Sequence, residues 1–170
     1  MVKHVDKRSF EVFLSIGSNI ENRKSNLINA KNLIEKSIGL IDQSSSIYET
    51  SPWGDDSLLP FLNLVLKVTT GLNPIDLLSA CKKIEQGMGR IFYANRQYNN
   101  RVIDIDILTY ENRIINEGNL KIPHPFLAQR MFVLLPFSEI NKNYEIAGLN
   151  SSIEDLLKAC NDKGLVRILI

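Results

Sequence analysis

Cysteine, histidine and tryptophan are scarce in this chain: its 170 residues include two cysteines, two histidines and one tryptophan. Cys81 and Cys160 show no C-x-x-C spacing and no neighbouring histidine, so a zinc site is not indicated and free thiols near a core are expected. An excess of one charge is also missing. Twenty Lys and Arg against nineteen Asp and Glu leave a formal net charge of +1, which gives no support for bulk binding to nucleic acid or to a membrane surface. No apolar run approaches the roughly 18 residues that cross a bilayer. Met1 to Glu11 is charged and lacks the apolar centre of a secretory signal, so a cytoplasmic location is expected. Repeats, low-complexity tracts and linkers are absent, and the length suits a single domain over 1–170. Residues 1–9, with His4, read as an unstructured leader.

What is present alternates between strand and helix signals. Phe10 to Ile16 reads as a strand closed by the turn cluster Gly17-Ser18-Asn19. Asn22 to Ile38 has apolar residues at helical spacing (Leu27, Ala30, Leu33, Ile34, Ile38), with Gly39 as a stop. Leu40 to Tyr48 reads as a second strand, Glu49 to Pro60 as a loop and Phe61 to Thr70 as a third strand. Asn73 and Pro74 open a helix to about Gly87, with Ile75, Leu78, Cys81 and Ile84 expected inward. A loop from Gly89 to Asn100 precedes a strand from Arg101, then a hairpin through Asn112 to Ile115. Met131 to Glu139 and Ser152 to Ala159 read as helices, and Val166 to Ile170 as a closing strand. The order predicts an α+β fold: a ferredoxin-like β-α-β-β-α-β core, an antiparallel sheet packed with helices, with C-terminal additions.

The most informative stretch is Arg101-Val102-Ile103-Asp104-Ile105-Asp106-Ile107-Leu108. Side chains alternate along a strand, so Asp104 and Asp106 share one face while Ile103, Ile105 and Ile107 point to a core. Like charges on one face repel, and aspartate is a poor strand former. A pair of Mg²⁺ ions would compensate, because hard cations take carboxylate oxygens. Alone, D-x-D more often marks a strand with its polar face in water. Its neighbours shift that balance. The loop just upstream carries Arg90, Arg96 and Arg101 with Phe92, Tyr93 and Tyr98 between them; guanidinium binds phosphate bidentately and aromatics stack on rings. Downstream, His124 sits between Pro123 and Pro125, on a stiffened backbone, ahead of Arg130. A third group is Ser51-Pro52-Trp53-Gly54 with Phe61-Leu62-Asn63. There the Asn63 amide offers a donor and an acceptor, suited to an aminopyrimidinone edge. Gly17-Ser18-Asn19 lacks the spacing and lysine of a P-loop and reads as a turn plus helix cap.

Taken in order, these segments resemble the 6-hydroxymethyl-7,8-dihydropterin pyrophosphokinase family. The resemblance runs from about Val12 to Ile140. It includes Leu14 to Asn19, Tyr48 to Gly54, Phe61 to Asn63, Glu85 to Arg90, Arg101 to Leu108 and Ile122 to Arg130. It implies ATP as co-substrate, two Mg²⁺ ions, and transfer of pyrophosphate to a pterin hydroxymethyl group with release of AMP. By matching position, Asp104 and Asp106 would hold the metal. Arg90, Arg101, His124 and Arg130 would hold the phosphates, with Arg90 and Arg101 joining the aspartates in catalysis. Glu85 and Ile107 would lie near the nucleoside. Thr50, Ser51, Trp53, Phe61, Asn63 and Phe132 would form the pterin pocket. A monomer with small-molecule partners is expected. The loops Glu49 to Pro60 and Gly89 to Asn100 would close over the substrates. Asn99-Asn100 stands where the family often has Gly-Pro.

Two rivals are weaker. Polymerase-like nucleotidyltransferases place Gly-Ser shortly before D-x-D, whereas Gly17-Ser18 lies far upstream of Asp104. A non-enzymatic binding module would not need acidic, basic and aromatic clusters together.

Overall fold

The computed structural model of the chain describes residues 9–55, 57–90 and 99–169. The elements run β1 (Phe10–Ser18), α1 (Arg23–Ser37), β2 (Gly39–Ser44), β3 (Tyr48–Thr50), β4 (Phe61–Thr70), α2 (Pro74–Gly87) and β5 (Asp104–Tyr110). They continue with β6 (Ile115–Glu117), β7 (Leu120–Ile122), α3 (Met131–Asn141), β8 (Glu145–Ile146), β9 (Ser151–Ser152), α4 (Ile153–Ala159) and β10 (Val166–Ile168). The core strands lie in the order β5-β1-β4-β2, all antiparallel. This is the expected ferredoxin-like arrangement. β3 and β10 extend the sheet beside the first half of β4.

The strands alternate between two cores. Val12, Leu14 and Ile16 of β1 pack with Ile105 and Ile107 of β5 against α1 and α2. On the opposite face Phe13, Val65 and Leu108 pack against Val133, Leu134 and Phe137 of α3 and Ile153 at the start of α4. The C-terminal helices therefore cover only part of that second face. Beyond their edge the same rows continue as Ser15 and Gly17 on β1, Asn63 and Phe61 on β4, and Asp104 and Asp106 on β5. The register sets Gly17 directly between Asn63 and Asp104. A face that is apolar under α3 thus turns polar beyond the first turn of α3, and the site lies there.

Several sequence expectations need correction. The Leu40 to Tyr48 strand breaks in two at a run of serines. Ser45 Oγ accepts the Val65 N–H at 3.0 Å, taking a place in the ladder, and Ser46 N–H donates to Glu139 at 2.7 Å. Serine hydroxyls compete with backbone pairing in this way. Glu49 and Thr50 consequently belong to β3 rather than to a loop. The expected hairpin through Asn112 to Ile115 is only a turn, and the hairpin is β6–β7. On α2 the buried stripe is Leu77, Cys81, Ile84 and Glu85, and Ile75 is half exposed. The inward face is turned towards Leu77 because a buried glutamate, Glu85, occupies it beside Ile84. Leu33 of α1 is also partly exposed, whereas Leu27, Ala30, Ile34 and Ile38 are buried as expected. The short pair β8–β9 had no signal of its own. Both cysteines are free thiols.

Candidate active site

The described residues line one cavity of about 250 Å³ in which the three sequence groups meet: Asp104 and Asp106, Arg90, Arg101, His124 and Arg130, and Thr50, Ser51, Trp53, Phe61, Asn63 and Phe132. Asp104 and Asp106 are one strand pleat apart on β5, opposite Gly17 and Ser15. Every charge in the cluster is answered. Asp104 accepts from Arg90, and from Arg101 at 2.8 Å. Asp106 accepts from Arg130 at 3.2 Å, with His124 Nε2 3.7 Å away. Burial would raise the Asp104 carboxyl, but Arg101, Arg90 and Lys82 outweigh it and hold it below the ordinary carboxylate value.

Glu85 does not face the cavity. Its side chain has no exposed surface and forms the floor of the cluster. It accepts from Arg90, from Lys82 at 2.8 Å and from the Ile105 N–H at 2.7 Å. Burial, reinforced by Asp104, raises its pKa. The bond from Ile105 shows which backbone groups of β5 point away from β1. By the two-residue period of a strand, those of Ile107 point the same way. The Ile107 side chain is buried in the core, so Ile107 can offer a ligand only its main chain. That edge opens on a second groove of about 240 Å³, which includes Ile107, Asn119, Lys121 and Pro125 and shares Lys82, Asp106 and His124 with the first cavity.

His124 Nδ1 accepts the Phe126 N–H at 3.2 Å. Burial lowers the histidine pKa despite the opposing pull of Asp106. The ring is therefore neutral near pH 7, with its proton on Nε2, facing Asp106 as a donor. Arg130 stacks over Trp53, Phe126 and Phe132 at 4.7, 5.3 and 5.5 Å. Its Nε–H is buried with no partner among the described residues. An unpaired buried guanidinium donor beside a carboxylate pair fits an anion carrying its own cation.

At the other end, Asn63 Nδ2 donates to Thr50 Oγ1 at 2.8 Å, and both side chains are buried. Gly17 makes this possible: a Cβ there would lie 2.2 Å from Asn63 Oδ1. Arg101 lies over the Phe61 ring at 5.7 Å.

Asn19 joins the two ends. It accepts the Arg101 N–H at 2.7 Å and donates to Asn100 at 2.7 Å and to the Leu59 carbonyl at 3.1 Å. Asn100 in turn accepts the Leu59 N–H at 3.1 Å, so the residue that departs from the usual Gly-Pro ties one loop to the other. The α1 cap is Asn22, not Ser18 or Asn19. Ser18 is buried and accepts from Asn26, so it cannot serve as the serine of a nucleotidyltransferase Gly-Ser motif, although Gly17 does sit beside Asp104. Arg96, Phe92, Tyr93 and Tyr98 lie outside the described residues, as does His4.

Sequence reasoning missed Lys82, Phe126, Ser15 and Leu58 as lining residues. Lys82 had a signal in its spacing of three from Glu85 on one helix, and Phe126 in being a large apolar residue beside His124-Pro125. Leu58 had none.

An α+β fold carrying paired carboxylates, guanidinium groups and an amide-lined aromatic pocket defines a class of protein built to hold a polyanion against a flat polar ring. Residues 13–142 match the family described as 7,8-dihydro-6-hydroxymethylpterin-pyrophosphokinase (HPPK), and the chain belongs to that family. It is 34% identical over 157 residues to 2-amino-4-hydroxy-6-hydroxymethyldihydropteridine pyrophosphokinase of Methylorubrum extorquens, covering 92% of this chain and 97% of that one. The Aquifex aeolicus protein of the same name is 40% identical over 132 residues, 78% of this chain and 81% of the relative. Among solved structures, Plasmodium falciparum HPPK-DHPS with pteroate superposes with a TM-score of 0.74 over 89% of this chain at 19% identity. The chain spans 42% of that longer protein, and the likeness concerns the fold.

Proposed function

We propose that the chain, as a single monomeric domain in the cytoplasm, transfers the β,γ-pyrophosphate of ATP to the hydroxymethyl group of 6-hydroxymethyl-7,8-dihydropterin, giving AMP and the pterin diphosphate. The observation that carries this reading is the row Asn63–Gly17–Asp104 across three strands. It sets a ring-reading amide beside the carboxylate pair, on one face of one rigid sheet.

Asn63, held by Thr50, reads the pterin edge, and Phe61, Trp53 and Phe132 flank the ring, with Ser51 at the rim. Arg90, Arg101, Arg130 and the Nε2–H of His124 take the phosphates. A cavity of about 250 Å³ lies below the roughly 300–1,000 Å³ usual for a ligand site. In this reading the nucleoside lies in the adjoining groove, with the Ile107 main chain at its side and Glu85 acting from beneath through Arg90 and Lys82.

The donor set fits Mg²⁺. That ion is usually held by one or two carboxylates together with substrate phosphates rather than by an all-protein cage, and no group of three or more His, Cys, Asp or Glu placed to hold a metal ion by itself is found among the described residues. Asp104 and Asp106 would hold two such ions, which when bound supply charge neutralisation at the phosphates. The arginines that now face the carboxylates would then turn to phosphate oxygens.

The reaction follows from position. The hydroxymethyl oxygen attacks the β-phosphorus in line, an O–P bond forms as the hydroxyl gives up its proton to solvent, and the bond from Pβ to the oxygen it shares with the α-phosphate breaks, leaving AMP. No covalent enzyme intermediate is needed. The test is a steady-state assay of AMP formation with Mg-ATP, with and without the pterin. Pterin-dependent AMP supports the reading; ADP as product, or AMP formed at the same rate without the pterin, contradicts it.

A further inference from the structure

The two walls of the aromatic end come from distant parts of the chain: Thr50 and Ser51 at the end of β3, and Arg130 and Phe132 at the start of α3. One carboxylate outside residues 13–142 links them, touching the second wall directly and the first through its own turn. The first N–H groups of α3 need an acceptor, and the residue preceding the helix, Arg130, gives no side-chain cap. No acidic residue stands in the first turn either. Asp162 fills the role from 31 residues away, accepting the Met131 N–H at 3.0 Å through Oδ2. Its other oxygen accepts the Gly164 N–H at 2.9 Å and so shapes the turn that follows. From that turn Leu165 reaches Ser51 twice: its N–H donates to Ser51 Oγ at 2.9 Å, and its carbonyl accepts the Ser51 N–H at 3.0 Å. The turn is close-fitting, since a Cβ on Gly164 would lie 2.9 Å from Ser51 Oγ and 3.1 Å from Asp162 Oδ1.

We propose that Asp162 is a positioning residue that couples these two walls, holding the helix start that carries Phe132 in register with the strand end that carries Thr50 and Ser51. It touches no substrate; it sets the width of the pocket. A carboxylate suits this better than an amide because the helix N-terminus favours negative charge and both of its oxygens are used. The identity of the ligand rests on the function proposed above; the coupling does not.

The test uses the full chain with Asp162→Ala, Asp162→Asn and Gly164→Ala, and Ser152→Ala as a control. Ser152 caps α4 in the same C-terminal region without lining the cavity. Asp162→Ala raises the KM for 6-hydroxymethyl-7,8-dihydropterin about fivefold, the size expected for loss of an ordinary helix cap. The KM for ATP moves less. Asp162→Asn, which keeps one acceptor oxygen, lies between. Gly164→Ala shifts the pterin KM in the same direction while retaining the carboxylate. In Asp162→Ala the Ser51 amide, which Asp162 does not contact, loses hydrogen-exchange protection. Ser152→Ala lowers Tm but leaves the pterin KM unchanged. An unchanged pterin KM in Asp162→Ala, equal shifts in both KM values matched by Ser152→Ala, or retained Ser51 protection would overturn the coupling. If the wild-type chain makes no AMP from the pterin, the functional reading fails and the Ser51 exchange alone decides the coupling.

Discussion

The two ends of the cavity are built by different means. The charged end has its carboxylates on regular elements, β5 and α2, and cations on α2 and on the flanking segments compensate them: Glu85 lies beneath Arg90 and Lys82, Asp104 between Arg90 and Arg101, Asp106 against Arg130. Its cations exceed its carboxylates, so it favours a further anion. The aromatic end stands on the ends of elements, at the close of β3, the beginning of β4 and the first turn of α3, and is held by neighbours from elsewhere. Gly17 makes room for Asn63, Asn19 and Asn100 fix Leu59, and Asp162 reaches Ser51 through its turn. Carboxylates can be placed by one strand and one helix; the shape of a flat pocket requires several chain segments at once.

Breaking the charged end should have the largest effect. Asp104→Ala and Asp106→Ala are expected to lower kcat by about a thousandfold or more, the scale of losing charge stabilisation in a transition state. Neither side chain lies in a core, so the circular dichroism spectrum should not change. Near-normal turnover in either variant would remove these residues from the mechanism. Glu85→Ala comes next and acts on stability first. Removing one member of a buried charge cluster costs roughly 3–5 kcal/mol, measured as a fall in the urea midpoint. Glu85→Gln, which keeps the shape, should retain most of that stability.

These two ends also differ in how much the sequence reveals. The D-x-D strand is legible because alternation on a strand is local: Ile103, Ile105 and Ile107 are buried and the aspartates share a face, as the pattern requires. Asn63 could be singled out as a polar residue in an apolar strand, but not why it is held there, because Gly17 is its partner only through pairing across the sheet. Glu85 is reached in the sequence only through the resemblance, which sets it near the nucleoside; its burial depends on three donors that the fold brings around it. Asp162 looks like an ordinary turn residue; its two partners lie far away in sequence.

Sharpening the comparison calls for changes to the aromatic end alone. Gly17→Ala puts a methyl group where Asn63 Oδ1 now lies, so the amide must turn away. We expect the pterin KM to rise about tenfold, near the 1–1.5 kcal/mol of one hydrogen bond, with the KM for ATP unchanged. A matching rise in both would mean that the two ends are not separable.

The smallest effect concerns pH and belongs to the boundary between them. Burial holds the folded pKa of His124 below the ordinary value of 6.5. As pH falls below 6.5 the unfolded chain takes up the proton first, so His124 makes the folded state lose stability from there down to its lowered pKa. Glu85, whose pKa is raised from 4.5, has the opposite slope: its contribution is fully present below pH 4.5 and is lost as pH rises through the raised value. The difference between wild type and His124→Gln isolates the histidine. Urea midpoints between pH 7.5 and 5 should fall more steeply for the wild type, and parallel curves would contradict the assignment.

The central claim is that one sheet face aligns a polyphosphate with a pterin hydroxyl so that two phosphoryl groups move together. Phosphorus NMR of a single reaction mixture, containing the enzyme, Mg-ATP and 6-hydroxymethyl-7,8-dihydropterin, tests it most directly. The account predicts that AMP grows in equal amount with the paired resonances of an alkyl diphosphate. Growth of ADP with a phosphate monoester, or of inorganic phosphate, would contradict it.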